Sequence, residues 1–160
     1  LPLESCQTIN AHWGYNITDT LYKSPKELLQ MLVRAAGKNA NLLLNIGPEP
    51  GGALPDLALN RLKAMGEWLK QYGETIYGTR GGIIAPHDWG VSTQRGNKLY
   101  VHILDCMDSS LYLPTGNRKV KSAKVFATGK PVRFTKTGDG ITVNMDEAPK
   151  EIDYVLELTL

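Results

Sequence analysis

The spacing of apolar residues changes period part-way along the chain, and that change limits the folds open to it. Up to about residue 78 the apolar positions recur with the 3.6-residue period of helices; from about residue 80 they alternate with the period of two that strands require. A chain whose periods are segregated in this way is expected to be α/β followed by all-β, with the boundary in the glycine-rich segment Gly78-Thr79-Arg80-Gly81-Gly82.

In the first half, Ser24-Pro25-Lys26-Glu27 combines an N-cap serine, proline at the first helical position and a capping-box glutamate, so a helix is predicted to start there. Leu28, Leu29, Leu32, Val33 and Ala36 fall on one face of that helix, and Gly37 is expected to supply the left-handed residue that closes it. Asn41 to Ile46 is a short apolar run between a helix and a turn-rich loop, as expected of a parallel strand buried on both faces. The loop Gly47-Pro48-Glu49-Pro50-Gly51-Gly52 leads to Pro55-Asp56, after which Leu62, Met65, Leu69 and Tyr72 mark a second helix ending at Gly73. One parallel strand with two helices can neither bury both faces nor pair both edges, so further strands upstream are expected. The beginning, Leu1-Pro2-Leu3-Glu4, has no Met, basic region or apolar signal core, and reads as a start inside a longer sequence.

In the second half, Leu99, Val101 and Ile103 alternate with Tyr100 and His102, Ile141, Val143 and Met145 with polar residues, and Tyr154, Leu156, Leu158 and Leu160 with Val155, Glu157 and Thr159. Leu111 to Leu113 and Val132 to Phe134 add shorter strands, Trp89 is expected to begin another, and Arg95-Gly96-Asn97 and Thr137-Gly138-Asp139-Gly140 carry turn glycines. The expected result is an antiparallel β-sandwich.

Composition removes several function classes. The net charge of +2 arises from 18 basic and 16 acidic residues dispersed along 160 positions, which gives no field to recruit nucleic acid or an anionic membrane. No run approaches the ~20 apolar residues of a membrane helix. Cys6 and Cys106 lie far apart without a CxxC pattern, and His12, His87 and His102 are isolated, so neither a metal site, a cofactor nor a disulfide framework is implied. Asn16-Ile17-Thr18 matches the N-glycosylation acceptor pattern, a weak signal at this length.

Three ordered segments carry a resemblance: Cys6-Gln7-Thr8-Ile9 with Trp13-Gly14-Tyr15, Asn41 to Pro48, and Gly73 to Gly78. Together they resemble the α-L-fucosidases of glycoside hydrolase family 29 over residues 4–79. The resemblance implies that 1–79 is the C-terminal portion of a catalytic (β/α)8 barrel and 80–160 a C-terminal antiparallel β-sandwich. Asn41 to Ile46 would be the eighth barrel strand and Asp56 to Tyr72 the last helix. It further implies a fucosylated glycan as substrate, the N-terminal remainder of the catalytic domain as partner, and a periplasmic, extracellular or lysosomal address.

Barrel enzymes build their sites on loops at the C-terminal ends of strands, which brings the Trp13 region and the loop after Ile46 to the substrate side. Fucose offers a methyl group and an apolar ring face, and by family resemblance Trp13 is the aromatic wall against them. The family's retaining mechanism needs an aspartate nucleophile and a carboxylic acid roughly 5 Å apart. Both are expected before Leu1; Glu4, in the segment Leu3-Glu4-Ser5-Cys6 where relatives have Trp-Glu, is the one weak local candidate for the acid. His12 and Tyr15 are expected to pack, Glu49 to sit in a solvated turn, and Glu67, Glu74 and Asp88 to be surface charges. Trp68 and Trp89 read as core residues and Arg118-Lys119-Val120-Lys121 as a solvated rim. Two other readings stand beside the enzyme fragment: a non-catalytic carbohydrate-binding module, which an exposed row of aromatics over 80–160 would mark, and the structural half of a split enzyme.

Overall fold

The computed structural model describes residues 3–160; Leu1 and Pro2, the beginning of the tetrapeptide read as an interior start, lie outside the described residues. The architecture is α/β followed by all-β. Strand β1 (Leu3–Thr8), helix α1 (Pro25–Gly37), strand β2 (Ala40–Asn45) and helix α2 (Asp56–Tyr72) form a repeat of strand and helix, with β1 and β2 paired in parallel from Leu3–Ala40 to Thr8–Asn45. The first half therefore holds two parallel strands where one was expected. The capping box at α1 is complete: Ser24 Oγ accepts from the Glu27 N–H and the Glu27 carboxylate accepts from the Ser24 N–H. The Ser24 N–H, and then the Ser24 hydroxyl, both donating to the Glu27 carboxylate, hold that carboxyl below the ordinary glutamate range.

The closing of α1 differs from expectation. The residue with positive φ is Asn39 (φ 59°), whose side-chain amide tolerates the left-handed region, while Gly37 is still helical. Gly37 is needed for a different reason: a Cβ there would come within 2.4 Å of Val91 Cβ. The missing side chain lets α1 rest directly on the sheet of the second half.

That second half comprises β3 (Arg80–Gly81), β4 (Gly90–Arg95), β5 (Lys98–Ile103), β6 (Ser110–Leu113), β7 (Ser122–Val125), β8 (Arg133–Thr137), β9 (Gly140–Asn144) and β10 (Tyr154–Thr159). A five-stranded sheet of order β3-β4-β5-β10-β7 faces a three-stranded sheet β6-β9-β8, and every pairing is antiparallel. Gly96 and Gly138, both near φ 58–59°, occupy the first position of two-residue hairpin loops, where a II′ turn requires them. Trp89 lies immediately before β4 and is half-buried against the sandwich core; Trp68 is half-buried on α2.

The core between the sheets is built from Leu99, Val101, Ile103, Leu113, Ile141 and Val143 together with Leu156 and Leu158. The opposite face of the five-stranded sheet is buried as well, with Tyr100 and His102 both at 0% exposure. It is covered by the first half, where Val33 of α1 packs on Val91 and Leu104. Several polar groups in this junction are paired. Gln30 Nε2 donates to Leu104 O (3.1 Å), and Thr93 Oγ1 donates to Thr75 O (2.6 Å). Glu74, expected to be a plain surface charge, instead accepts from Arg95 (2.8 Å), Lys98 (3.0 Å) and the Tyr100 hydroxyl (2.8 Å). The Lys98 bond, then that of Tyr100, holds the Glu74 carboxyl below the ordinary range.

Gly37→Ala should destabilise the protein by about 1–3 kcal/mol, although alanine is the better helix former, because the new methyl overlaps Val91. Thermal or urea unfolding of G37A alone and with Val91→Ala measures this; the double variant should recover part of the loss, and a G37A protein as stable as wild type would refute the close contact.

Candidate functional site

β1 and β2 run in the same direction, so the loop over 9–23 and the loop over 46–55 leave from the same end of the small sheet. Main-chain bonding continues past β1, with Ile9 N–H donating to Asn45 O (3.0 Å). The loop then turns outward and presents Trp13, which is 57% exposed. Its backbone is held firmly. Asn45 Nδ2 donates to Trp13 O (2.6 Å), and Gly47 comes so close to Gly14 and Tyr15 that a Cβ would lie 2.5 Å from their backbone atoms. The two loops thus support each other.

Asp19 organises the rest of the first loop. Its Oδ2 accepts from Asn10 Nδ2 (3.0 Å), Ala11 N–H (3.2 Å) and His12 Nδ1 (2.8 Å), and its Oδ1 accepts from Leu21 N–H (3.0 Å). Its side chain is 1% exposed. A carboxylate taking four bonds favours its charged form; the His12 bond leads, burial opposes, the backbone bonds add, and the Asp19 carboxyl lies below the ordinary aspartate range. Lys23 Nζ secures the same turn by donating to Thr8 O (2.6 Å) and Asn10 O (3.3 Å). Sequence reasoning missed Asp19 and Lys23. Only the loop's several short polar residues hinted at such a knot.

His12 and Tyr15 do not pack in a core: both are exposed, with His12 engaged by Asp19. Asn16 Oδ1 accepts from Thr18 N–H (3.0 Å) and Thr18 Oγ1 (2.8 Å), forming a local turn within the acceptor tripeptide. Glu49 closes a turn through backbone bonds with Gly52 and Ala53. Glu4 is the second residue of β1, exposed, with Cys6 Sγ as a 3.8 Å neighbour. Four residue steps at about 3.3 Å each separate it from Thr8, so it lies about 13 Å down the strand from the end that carries Trp13. The structure brings Trp13 together with Asn45 and Gly47 and does not bring Glu4 to them. Both thiols, Cys6 and Cys106, are free. Among the described residues, no group of three or more His, Cys, Asp or Glu side chains converges on a point, and no helix is long and apolar enough to cross a membrane.

Comparison with known proteins bears directly on this loop pair. The sequence profile of the family described as Alpha-L-fucosidase matches residues 1–74, which include both loops. A plasma α-L-fucosidase of Rattus norvegicus is 31% identical over 154 residues, 89% of this chain, and an α-L-fucosidase of Dictyostelium discoideum is 29% identical over 98% of it. α-L-Fucosidase isoenzyme 1 from Paenibacillus thiaminolyticus superposes on the whole chain with a TM-score of 0.89 at 39% identity. The chain belongs to the α-L-fucosidase family. A Thermotoga maritima α-fucosidase solved with a mechanism-based inhibitor, TM-score 0.85 at 29% identity over 99% of this chain, has the same arrangement. The chain spans 34% and 38% of the two curated relatives and 40% of each solved fucosidase, as befits a C-terminal portion of such a family member.

Asp19→Ala should release the loop that carries Trp13 while leaving the sandwich folded. Limited proteolysis should show new cleavage within residues 10–21. Because the folded-state pKa of Asp19 is depressed, its ordering effect is complete above the unfolded aspartate range and is lost as pH falls through the folded value. Wild-type protein should therefore become susceptible at this loop on acidification while D19A is susceptible throughout; identical patterns for the two proteins at neutral pH would refute the role.

Proposed function

We propose that this chain is part of a retaining exo-glycosidase that removes terminal α-L-fucose from glycoconjugates. Residues 1–79 would complete the C-terminal end of a (β/α)8 barrel and 80–160 would form the sandwich that braces it. The observation that carries this reading is Trp13: a 57% exposed tryptophan with an immobilised backbone, at the C-terminal end of a parallel strand, in a family of fucosidases. An aromatic side chain fixed on rigid elements is a suitable wall for the methyl group and apolar face of a deoxy sugar.

The mechanism requires two carboxyl groups about 5 Å apart, one attacking the anomeric carbon and one protonating the leaving oxygen. In this reading both come from the preceding part of the catalytic domain, and β1 and β2 meet the other barrel strands through their outer edges. Leu3 and Leu43, both apolar and exposed on this small sheet, agree with such neighbours. Export or delivery to a degradative compartment would suit an enzyme of glycoconjugates.

The split-enzyme reading differs only in whether the remainder is a separate chain. The binding-module reading gains nothing from an aromatic row, since Tyr112 at 41% is the large aromatic exposed on the sandwich strands.

Purified chain of 17.6 kDa should release no nitrophenol from a nitrophenyl α-L-fucoside above a mock preparation. Release would mean that a working carboxylate pair lies within residues 1–160, and Glu4 would be the first to substitute. In the complete enzyme, Trp13→Ala should lower kcat/KM for the fucoside about tenfold or more, the loss expected of one well-packed aromatic contact; an unchanged value would remove Trp13 from the site.

A further inference from the structure

We propose that the sandwich carries a second, non-catalytic site that binds a small amphipathic carboxylate, one with an aryl or alkyl body, in the cavity between the β6–β7 connection and the β8–β9 hairpin. The cavity has a volume of about 360 Å³, the space of about a dozen waters at about 30 Å³ each. It shares no residue with the Trp13 loops, and it does not depend on the activity proposed above.

The first observation is how the sandwich core ends. Along β8, Phe134 pairs with Val143 and Lys136 with Ile141, and cross-strand partners point to the same face of a sheet. Val143 and Ile141 are both buried in the core, so Lys136 continues its inner face. A lysine thus stands where an apolar residue would close the end of the sandwich, and it is exposed. Such a side chain lays its alkyl stem on apolar surface and keeps its charge in water. Val120, Phe134 and Ile141 line the cavity and give it an apolar floor, the first two only half-buried.

The second observation is charge. The connection over 114–121 crosses from the three-stranded to the five-stranded sheet and is fastened at both ends. The carbonyl of Thr115, a residue 2% exposed, accepts from Arg118 N–H (3.4 Å), while Lys121 donates its N–H to Thr159 O (2.7 Å) and its Nζ to Leu160 O (2.9 Å). Between these anchors Arg118 and Lys119 join Lys136 around the cavity. No Asp or Glu lines it, and among the described residues none of the three cations is ion-paired. Asp139, in the same hairpin as Lys136, is engaged by the Tyr112 hydroxyl. Other lysines of the sandwich are matched: Lys98 and Lys124 approach Glu157, and Lys130 meets Asp146. Three unmatched cations beside an apolar floor complement a small molecule that holds an anionic head next to an apolar body. A sugar would turn hydroxyls to the floor without partners, and a bare anion would leave the floor uncovered.

The test is an amide NMR titration of the ¹⁵N-labelled chain with phenylpropionate, with phenylpropanol and phenylpropylammonium as neutral and cationic counterparts and acetate as the bare head group. Phenylpropionate should shift resonances in 115–121, 133–137 and 140–142 and leave the 10–21 loop unmoved. It should bind about tenfold more tightly than the alcohol or acetate, and less tightly as ionic strength rises. Arg118→Gln, Lys119→Gln and Lys136→Gln, none of them at a core residue, should each weaken binding about threefold, and all three together should reduce it to that of the alcohol. β8 is an edge strand, and an inward lysine on an edge also serves to prevent pairing with another chain. If that is its whole role, Lys136→Gln will promote self-association in light scattering while the wild-type chain shows no phenylpropionate shifts, and the proposal falls. Absence of shifts in these segments at tens of millimolar ligand, equal response to the alcohol, or binding unaffected by the triple variant would also overturn it.

Discussion

Burial of the five-stranded sheet on both faces is the constraint on which most of this molecule depends. Along β5 and β10 one set of alternating side chains, Leu99, Val101, Ile103, Leu156 and Leu158, meets the three-stranded sheet. The other set, Tyr100, His102, Val155 and Glu157, lies on the opposite face and is buried as well. An antiparallel sheet can leave its second face to water, and this one does not. The polar members of the second set must then be matched within the protein. Glu74 meets Tyr100, Asp153 and Thr93 meet His102, and Lys98 and Lys124 approach Glu157 at 3.6 and 3.4 Å. The two halves are joined by a core with its own internal bonding, which gives the α/β half a firm base beneath α1.

That base matters for the loops at the other end of β1 and β2. Trp13 owes its position to Asn45, Gly47 and Asp19, none of which needs to touch a ligand to affect what the tryptophan does. Strand β2 fixes Asn45, the close backbone approach fixes the spacing between loops, and one buried carboxylate gathers four donors. Rigid support of this sort is what an exposed aromatic requires if it is to act as a wall and not merely as a mobile side chain.

The helices were legible because their signals are local: the Ser24–Glu27 box and the apolar stripes placed α1 and α2 within a residue of where they lie. So were β5, β9 and β10, whose alternation survives because one face meets a continuous core. β1 was not seen as a strand, since Leu-Glu-Ser-Cys-Gln-Thr has few apolar residues and a parallel strand at the edge of a small sheet shows no period. In β4, Ser92 and Thr93 look like surface residues; they are buried because Ser92 Oγ donates to Ile84 O and Thr93 Oγ1 to Thr75 O, bonds to partners outside the strand. Gly37 shows the limit from another side, because its need to be small comes from Val91, far along the chain. The same holds for Asp153 and His102, whose pairing no spacing rule foretells.

Strand order carries a consequence for how the protein is made. β10 is inserted between β5 and β7 in the interior of its sheet. During synthesis β4 and β5 can form their hairpin early, but the sheet keeps an open seam until residues 154–159 have left the ribosome. For that interval β5 presents an unpaired edge lined by Leu99, Val101 and Ile103, the kind of edge on which nascent chains associate wrongly. β10, made after the other strands of this sheet, thus closes the sheet on which both halves rest, and the chain is exposed to misassembly until residues 154–159 have emerged.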